Sequence, residues 1–417
     1  MLDALSTIAD STTSTAAQRL FAAEAQDAVR FVEAMSRRYT AVLMNPPFGE
    51  PVPATKKYLK AAYPWLPKFE DLLAAFVGRG LELSQHEVGT CGAITSRAGL
   101  FLKTYEGWRH EVLLAHQLAA MADFGYGVME QAVVEACAYV LKNEPPRCAG
   151  VFVRLTKETD RPASMRAASA NARVHAEDDR VFRVPVEDLA AVPGSPVAYW
   201  MTEDLRSIFL RGTALEGRFA RVRQGLTTSD DFRFVRTAWE VNPSRIGYEA
   251  DEFRADRKWA PFAKGGDYSP YWADVHLLVD WADSGRSIKE TVNEKYPYLN
   301  GNVSYVVKNE DCYFEPGLTW PRRTNSGFGI RLLPRGVIFA DKGSAVLPQS
   351  AETTFCILGW LRSRLIQALL DSMVAGGEQV SSGGGGRSYE VGLVQKLPMI
   401  VVPQLQEVIG RLVRRRA

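Results

Sequence analysis

No glycine occurs in the 44 residues that precede Asn45, so no glycine-rich loop of the kind that cradles phosphates or dinucleotides lies there. The five cysteines (Cys91, Cys137, Cys148, Cys312 and Cys356) form no C-x-x-C pair, and only five histidines accompany them. That supply suggests neither a metal site nor a disulfide framework, and a reducing cytoplasm fits best. An excess of either charge is also lacking. The formal net charge is +2, so any attraction for nucleic acid must come from a local basic face. No apolar run reaches the roughly 18 residues of a membrane span, and the opening MLDALSTIAD has no basic segment of a signal peptide. The run Gly383 to Gly386 lacks P-loop spacing and reads as a flexible connector. No metal-dependent nuclease pattern is visible.

What is present begins with Thr40-Ala41-Val42-Leu43-Met44-Asn45-Pro46-Pro47-Phe48-Gly49. A short apolar run meeting Asn-Pro-Pro-Phe predicts a buried parallel strand ending in a rigid, polar-tipped turn. The two prolines stop helix and ladder alike, removing two backbone donors while leaving their carbonyls free to accept. In an open α/β sheet, ligands bind in the crevice at the carboxyl ends of the strands. The turn is therefore a candidate site by position as well as by composition.

Around it, the spacing of Phe21, Ala25, Ala28, Val32 and Met35 predicts a helix before the strand. A Pro- and Lys-rich stretch over 50–68 reads as a loop long enough to be a lid, followed by a helix over 69–84. Strands are expected over 89–96 and 119–124, a helix over 105–118, and a further strand over 133–141 that closes a hairpin. This alternation implies an α/β fold with a parallel sheet. Periodicity fades between 142 and 196. The expected organisation is a catalytic domain over 1–155, a connecting region over 156–200 and an α+β domain over 201–417, where Trp, Arg and Gly are richer and strands shorter.

In that second half, Gly317-Leu318-Thr319-Trp320-Pro321-Arg322-Arg323-Thr324, followed by Arg331, interleaves guanidinium groups with an aromatic. Arginine pairs with guanine edges or neutralises phosphates, so Trp320, Arg322, Arg323 and Arg331 are candidate DNA contacts, as is Arg233. Lys264-Gly265-Gly266-Asp267 and Asp341-Lys342-Gly343 set a cation beside flexible backbone, suited to phosphate or simply to a tight turn. Thr227-Thr228-Ser229-Asp230-Asp231 reads as a turn and helix cap.

The Asn45 turn resembles the catalytic motif of amino-directed DNA methyltransferases. More widely, VLMNPPFG, GAITSRAGLF, EQAVVEACAYVL, QGLTTSDDFRFVRTAWEV, KWAPFAKGGDY, YFEPGLTWPRRT and YEVGLVQKLP resemble the later portion of PglX-type adenine-specific DNA methyltransferases of BREX and phage-growth-limitation systems. The resemblance implies methyl transfer from S-adenosylmethionine to adenine N6 in a short sequence of double-stranded DNA, followed by a target-recognition domain. It implies that Asn45 and Pro46 accept hydrogen bonds from the amine, that Pro47 keeps the turn rigid, and that Phe48 stacks on a flipped base. Tyr126, and Met129 where the family tends to place an aromatic, are the further base-stacking candidates.

One departure bears on the cofactor. The family's F-x-G-x-G fingerprint precedes the Asn-Pro-Pro-aromatic turn, and this chain has no glycine there. The expectation is a partial Rossmann-like methyltransferase sheet lacking its first βα units. Only an edge contact from Asn45 would then reach S-adenosylmethionine, and a separate N-terminal half would be the partner. Two alternatives remain open: an inactive DNA-binding remnant or specificity module, and methylation of another planar amide such as protein glutamine.

Overall fold

The structure is a computed structural model that describes residues 15–47, 49–65, 72–128, 134–253, 256–374, 387–400 and 403–415. Phe48, Met129 and the glycine run 383–386 lie outside the described residues. The chain divides into two compact units, Met1–Trp200 and Met201–Ala417.

The first unit is built on a six-stranded sheet: β1 (Ala41–Met44), β2 (Thr90–Ser96), β3 (Gln117–Gly125), β4 (Ala136–Lys142), β5 (Gly150–Arg154) and β6 (Val181–Val184), in the order β1-β2-β4-β3-β5-β6. β1 runs parallel to β2, with Ala41 opposite Thr90 and Met44 opposite Ala93. β4 is antiparallel to both β2 and β3, closing the expected hairpin, and β3 is parallel to β5. The α/β expectation therefore holds with a mixed sheet in place of a wholly parallel one. The cause is short-range: only the residues between Gly125 and Ala136 join β3 to β4, too few for the crossover that a parallel neighbour needs.

One sheet face carries the core. Cys91 and Ala93 of β2, Leu118 and Met121 of β3, and Cys137, Tyr139 and Leu141 of β4 all pack into it, against the helix Leu73–Leu83. Gly80 makes that contact possible, since a Cβ there would lie 2.2 Å from Met44 Cε and 2.8 Å from Cys91 Sγ. A larger residue would lever the helix off β1.

Two expectations change here. The stretch expected as a lid contains the helix Pro53–Ala62, with Leu59 and then Tyr63 buried in the core. Its proline sits in the first turn, where the missing N–H costs nothing. The region expected as a connector is part of the first unit: β6 pairs with β5, and Val197 and Tyr199 sit in the core.

The second unit is α+β. One four-stranded sheet orders Ile338–Phe339, Trp259–Ala263, Leu277–Asp280 and Val235–Thr237; the other orders Arg331–Leu333, Gly317–Thr319, Ala345–Pro348 and Ala220–Arg223. All pairings are antiparallel except Phe262 opposite Ile338 and Ala263 opposite Phe339. Helices Ala282–Lys295, Thr354–Leu361 and Arg364–Met373 accompany them.

Candidate functional site

β1 forms one edge of the sheet, and the chain leaves its carboxyl end directly into the Asn-Pro-Pro turn. Asn45 and Pro47 are exposed, whereas Pro46 is buried. The Leu72 N–H donates to the Gly49 carbonyl at 3.1 Å, tying the far side of the turn to the start of the helix Leu73–Leu83. Asn45 is thus a polar tip on an anchored support. Because β3 runs in the same direction as β1, Tyr126 emerges on the same sheet edge, 56% exposed, between Gly125 (φ +69°) and Gly127 (φ +81°). Three strand spacings separate the roots of these two residues, roughly 14 Å at ~4.8 Å per spacing.

The second face of the sheet is apolar and open. Leu43 is 81% exposed, Val140 38% and Ile94 37%, and with Asn45 they line a hollow of about 840 Å³. The helix Arg161–Arg173 reaches only the far side of that hollow, where Met165 and Ala168 pack with Phe124 and Val153. Parallel α/β sheets are ordinarily covered on both faces. The helix Ala16–Ser36 repeats the pattern: its C-terminal end is held by Arg79 donating to the Met35 carbonyl at 3.0 Å, while Leu20, Phe21, Phe31 and Val32 face solvent.

Beneath the carboxyl edge lies a buried charge network absent from the sequence reading. Arg97, just after β2, pairs with Asp123 of β3 at 2.8 Å and with Glu135 at 3.5 Å, and the Tyr199 hydroxyl donates to Asp123 at 2.8 Å. Burial lowers the Arg97 pKa, but the opposed carboxylates outweigh it and hold the guanidinium charged. Burial and the Asp123 charge push the Tyr199 phenol up, so it stays a donor. The network ties the ends of β2 and β3 to the residue before β4, fixing both roots of the Tyr126 loop. Its signals were an Arg closing GAITSR and an Asp inside the apolar AAMADFG.

In the second unit the candidate DNA contacts separate. Trp320 is wholly buried beside Phe328, at 5.8 Å between ring centroids, and its indole N–H donates to the Tyr389 carbonyl at 2.8 Å. Arg331 is 6% exposed; it donates to the carbonyls of Gly265 and Asp267, and burial lowers its pKa. Both are corrections to the contact reading: the hairpin turns these side chains inward, and their donors are spent on backbone. Arg322 is half-buried and pairs with Asp341 at 3.1 Å and Glu390 at 3.5 Å. Arg323, Arg233 and Lys342 are exposed, Arg233 donating to Thr291 at 3.2 Å. Lys264 pairs with Asp231. Among the described residues no group of three or more His, Cys, Asp or Glu is placed to hold a metal, and no helix is long and apolar enough to cross a membrane.

No family model matches the chain. It is 24% identical over 357 residues to the adenine-specific methyltransferase PglX of Lacticaseibacillus casei (strain Zhang), covering 84% of this chain and 29% of that protein. It is 26% identical over 347 residues to the adenine-specific methyltransferase BrxX of Escherichia coli O9:H4 (strain HS), covering 80% of this chain and 26% of that protein. The chain thus spans less than a third of the length of these relatives. Among solved structures, the Type IIL restriction-modification enzyme MmeI in complex with DNA aligns over 93% of this chain and 50% of its own, with a TM-score of 0.56 and 14% identity, a likeness of fold. The matches to PglX and BrxX cover four-fifths or more of the sequence, and the chain is a relative of the PglX-type adenine-specific methyltransferases.

Proposed function

We propose that this chain is the amine-holding and DNA-reading portion of an adenine-N6 DNA methyltransferase of restriction-modification or phage-defence type. The observation that carries the reading is the Asn-Pro-Pro-Phe turn at the carboxyl end of β1, in a chain whose relatives are adenine-specific methyltransferases. The exocyclic amine of adenine is a poor nucleophile because its lone pair is delocalised into the ring. Asn45 Oδ1 and the Pro46 carbonyl would each accept one of its hydrogens, favouring a more tetrahedral nitrogen. The pyrrolidine rings of Pro46 and Pro47 fix φ and keep that acceptor pair stiff. Phe48 would stack on the flipped base, with Tyr126 and Met129 as further covers.

This reading requires S-adenosylmethionine as the methyl donor, held mainly outside the described residues. Among the described residues β1 is the last strand on its side, and no glycine precedes Gly49. The open sheet face and the unpaired edge of β1 support a covering polypeptide, continuous with this chain or separate, that completes the Rossmann-like sheet and holds the cofactor. Residues 201–417 would then serve as the target-recognition domain on double-stranded DNA.

The test is transfer of labelled methyl groups to duplex DNA, read as N6-methyladenine after digestion, by the chain alone and with a polypeptide carrying the F-x-G-x-G units. The expected result is product only with both, abolished by Asn45→Ala with DNA binding retained. Product from this chain alone would refute the incomplete pocket. Duplex binding with no methylation under either condition would favour the inactive DNA-binding module.

A further inference from the structure

Three segments distant in sequence meet in the second unit. Thr227 to Ser229, Lys264 and Lys342 line one cavity of about 180 Å³, room for a phosphate group with waters that occupy about 30 Å³ each. Two glycines press the lysine turns together. A Cβ on Gly265 would lie 2.4 Å from the Lys342 carbonyl oxygen, and one on Gly343 would lie 2.4 Å from the Gly265 nitrogen. Gly265 also adopts φ +93°, a conformation that side chains disfavour.

The arginines that read as DNA contacts hold these turns from behind. Arg331 donates to the Gly265 and Asp267 carbonyls. Arg322 pairs with Asp341, and its backbone N–H donates to the Lys342 carbonyl at 2.9 Å. The third wall is equally constrained. Ser229 sits at φ +62° with its carbonyl accepting from Lys295 Nζ at 2.8 Å, and its own hydroxyl is buried without a hydrogen-bond partner among the described residues.

The charges are unevenly matched. Lys264 is engaged by Asp231, whose carboxylate also accepts from the Thr228 hydroxyl. Burial raises the Asp231 pKa, but the hydrogen bonds from Lys264 and Thr228 and the charges of Lys264 and Lys342 outweigh it and hold it below the usual carboxylate range. The Lys342 ammonium is therefore felt inside the cavity, yet it makes no ion pair among the described residues.

We propose that this cavity takes one backbone phosphate of the DNA, gripped by Lys342, with Asp231 a placeholder that releases Lys264 when the phosphate arrives. The proposal rests on the DNA-acting reading above and assigns a site within it. Phosphate contacts position a protein on the duplex without reading sequence, so the effect is uniform across sequences.

The experiment is binding of the full chain to a fluorescein-labelled duplex by anisotropy, from 50 to 200 mM salt, with folding of each variant checked by circular dichroism. Lys342→Ala is expected to weaken binding several-fold at 50 mM and to reduce the slope of log K against log salt by about 0.9, the value of one phosphate contact. Lys342→Arg restores that slope, and Asp231→Asn tightens binding. Arg286→Ala, at an exposed arginine already paired with Asp283, leaves the slope unchanged. An unchanged slope in Lys342→Ala, with wild-type binding intact, overturns the phosphate site and leaves the methyltransferase reading standing. Absence of duplex binding by the folded wild-type chain overturns both. Inorganic phosphate separates a free anion from DNA: if it raises the wild-type melting temperature but not that of Lys342→Ala while the DNA slopes coincide, the cavity serves free phosphate and the DNA assignment falls.

Discussion

The first unit leaves apolar surface uncovered, whereas the second draws inward residues of the type that face nucleic acid. In the first, Leu43 stands 81% exposed on a sheet whose opposite face is sealed by Cys91, Tyr139 and Leu141. In the second, Trp320 and Arg331 sit at 0% and 6% exposure and brace backbone turns. A sheet well packed on one side and bare on the other is shaped to receive further structure. With Trp320 and Arg331 turned inward, the proposed DNA contact of the second unit rests on exposed cations, among them Lys342, Arg323 and Arg233.

The comparison breaks most sharply at the buried Arg97–Asp123 pair, which ties the ends of β2 and β3 together. Asp123→Ala would leave the Arg97 charge buried without its main partner and the Tyr199 hydroxyl without its acceptor. The expected loss is about 3–5 kcal/mol of stability. Hydrogen exchange of the β2, β3 and β4 amides should accelerate while that of 259–333 stays unchanged. Faster exchange in both units would mean that they do not unfold separately.

Much of the covered half was legible in sequence, and the reason is local. The strand Ala41–Met44 and its proline stop, the helix Leu73–Leu83 and the hairpin strands β3 and β4 each carry a pattern and a terminator within a dozen residues, but the burial expected of Ala41–Met44 fails, because it is an edge strand with Ala41 and Leu43 exposed. What periodicity does not carry is the partner. The helix Ala16–Ser36 follows from the spacing of Phe21, Val32 and Met35, yet Phe21 and Val32 face solvent. Prolines that mark a loop in one context open a helix in another, as at Pro53. Trp320 and Arg331 were misread because an Arg- and Trp-bearing hairpin looks the same in sequence whichever face turns inward; only the packing of Phe328 and Tyr389 decides it.

A smaller effect sharpens the second unit's side of the comparison. Arg331→Met keeps most of the side-chain volume but leaves the Gly265 and Asp267 carbonyls without their buried donor. The expected cost is about 2 kcal/mol, with faster exchange in residues 262–267. A direct DNA contact would instead lower affinity with stability unchanged.

Leu43 and Met44 compare the two sheet faces at adjacent positions, because successive side chains on a strand point to opposite sides. Met44 packs on the core, and Met44→Ala should cost about 2 kcal/mol. Leu43→Ser should change stability by less than about 0.5 kcal/mol. It should also reduce self-association in light scattering and weaken capture of the covering polypeptide. Equal costs at both positions would mean that the open face is already covered in solution.

A small pH dependence is expected at Asp231, on the second unit's surface. Its folded pKa is depressed: burial opposes ionisation, but Lys264, Thr228 and Lys342 favour it more strongly. A depressed carboxylate contributes stability that is present above the unfolded value, about 3.9, and is lost as pH falls through the lower folded value. The side chain is 52% exposed, so solvent screens the pair and the contribution stays below about 1 kcal/mol. The difference in stability between the chain and Asp231→Asn should therefore be constant from pH 6 to about pH 5 and shrink below about pH 4. The Lys264 pairing is the same one that a phosphate would displace, so near pH 6 inorganic phosphate or duplex DNA should narrow that difference as acid does. A difference that grows on acidification would mean that Asp231 is strained by burial in the folded unit, and the placeholder role would lose its electrostatic basis.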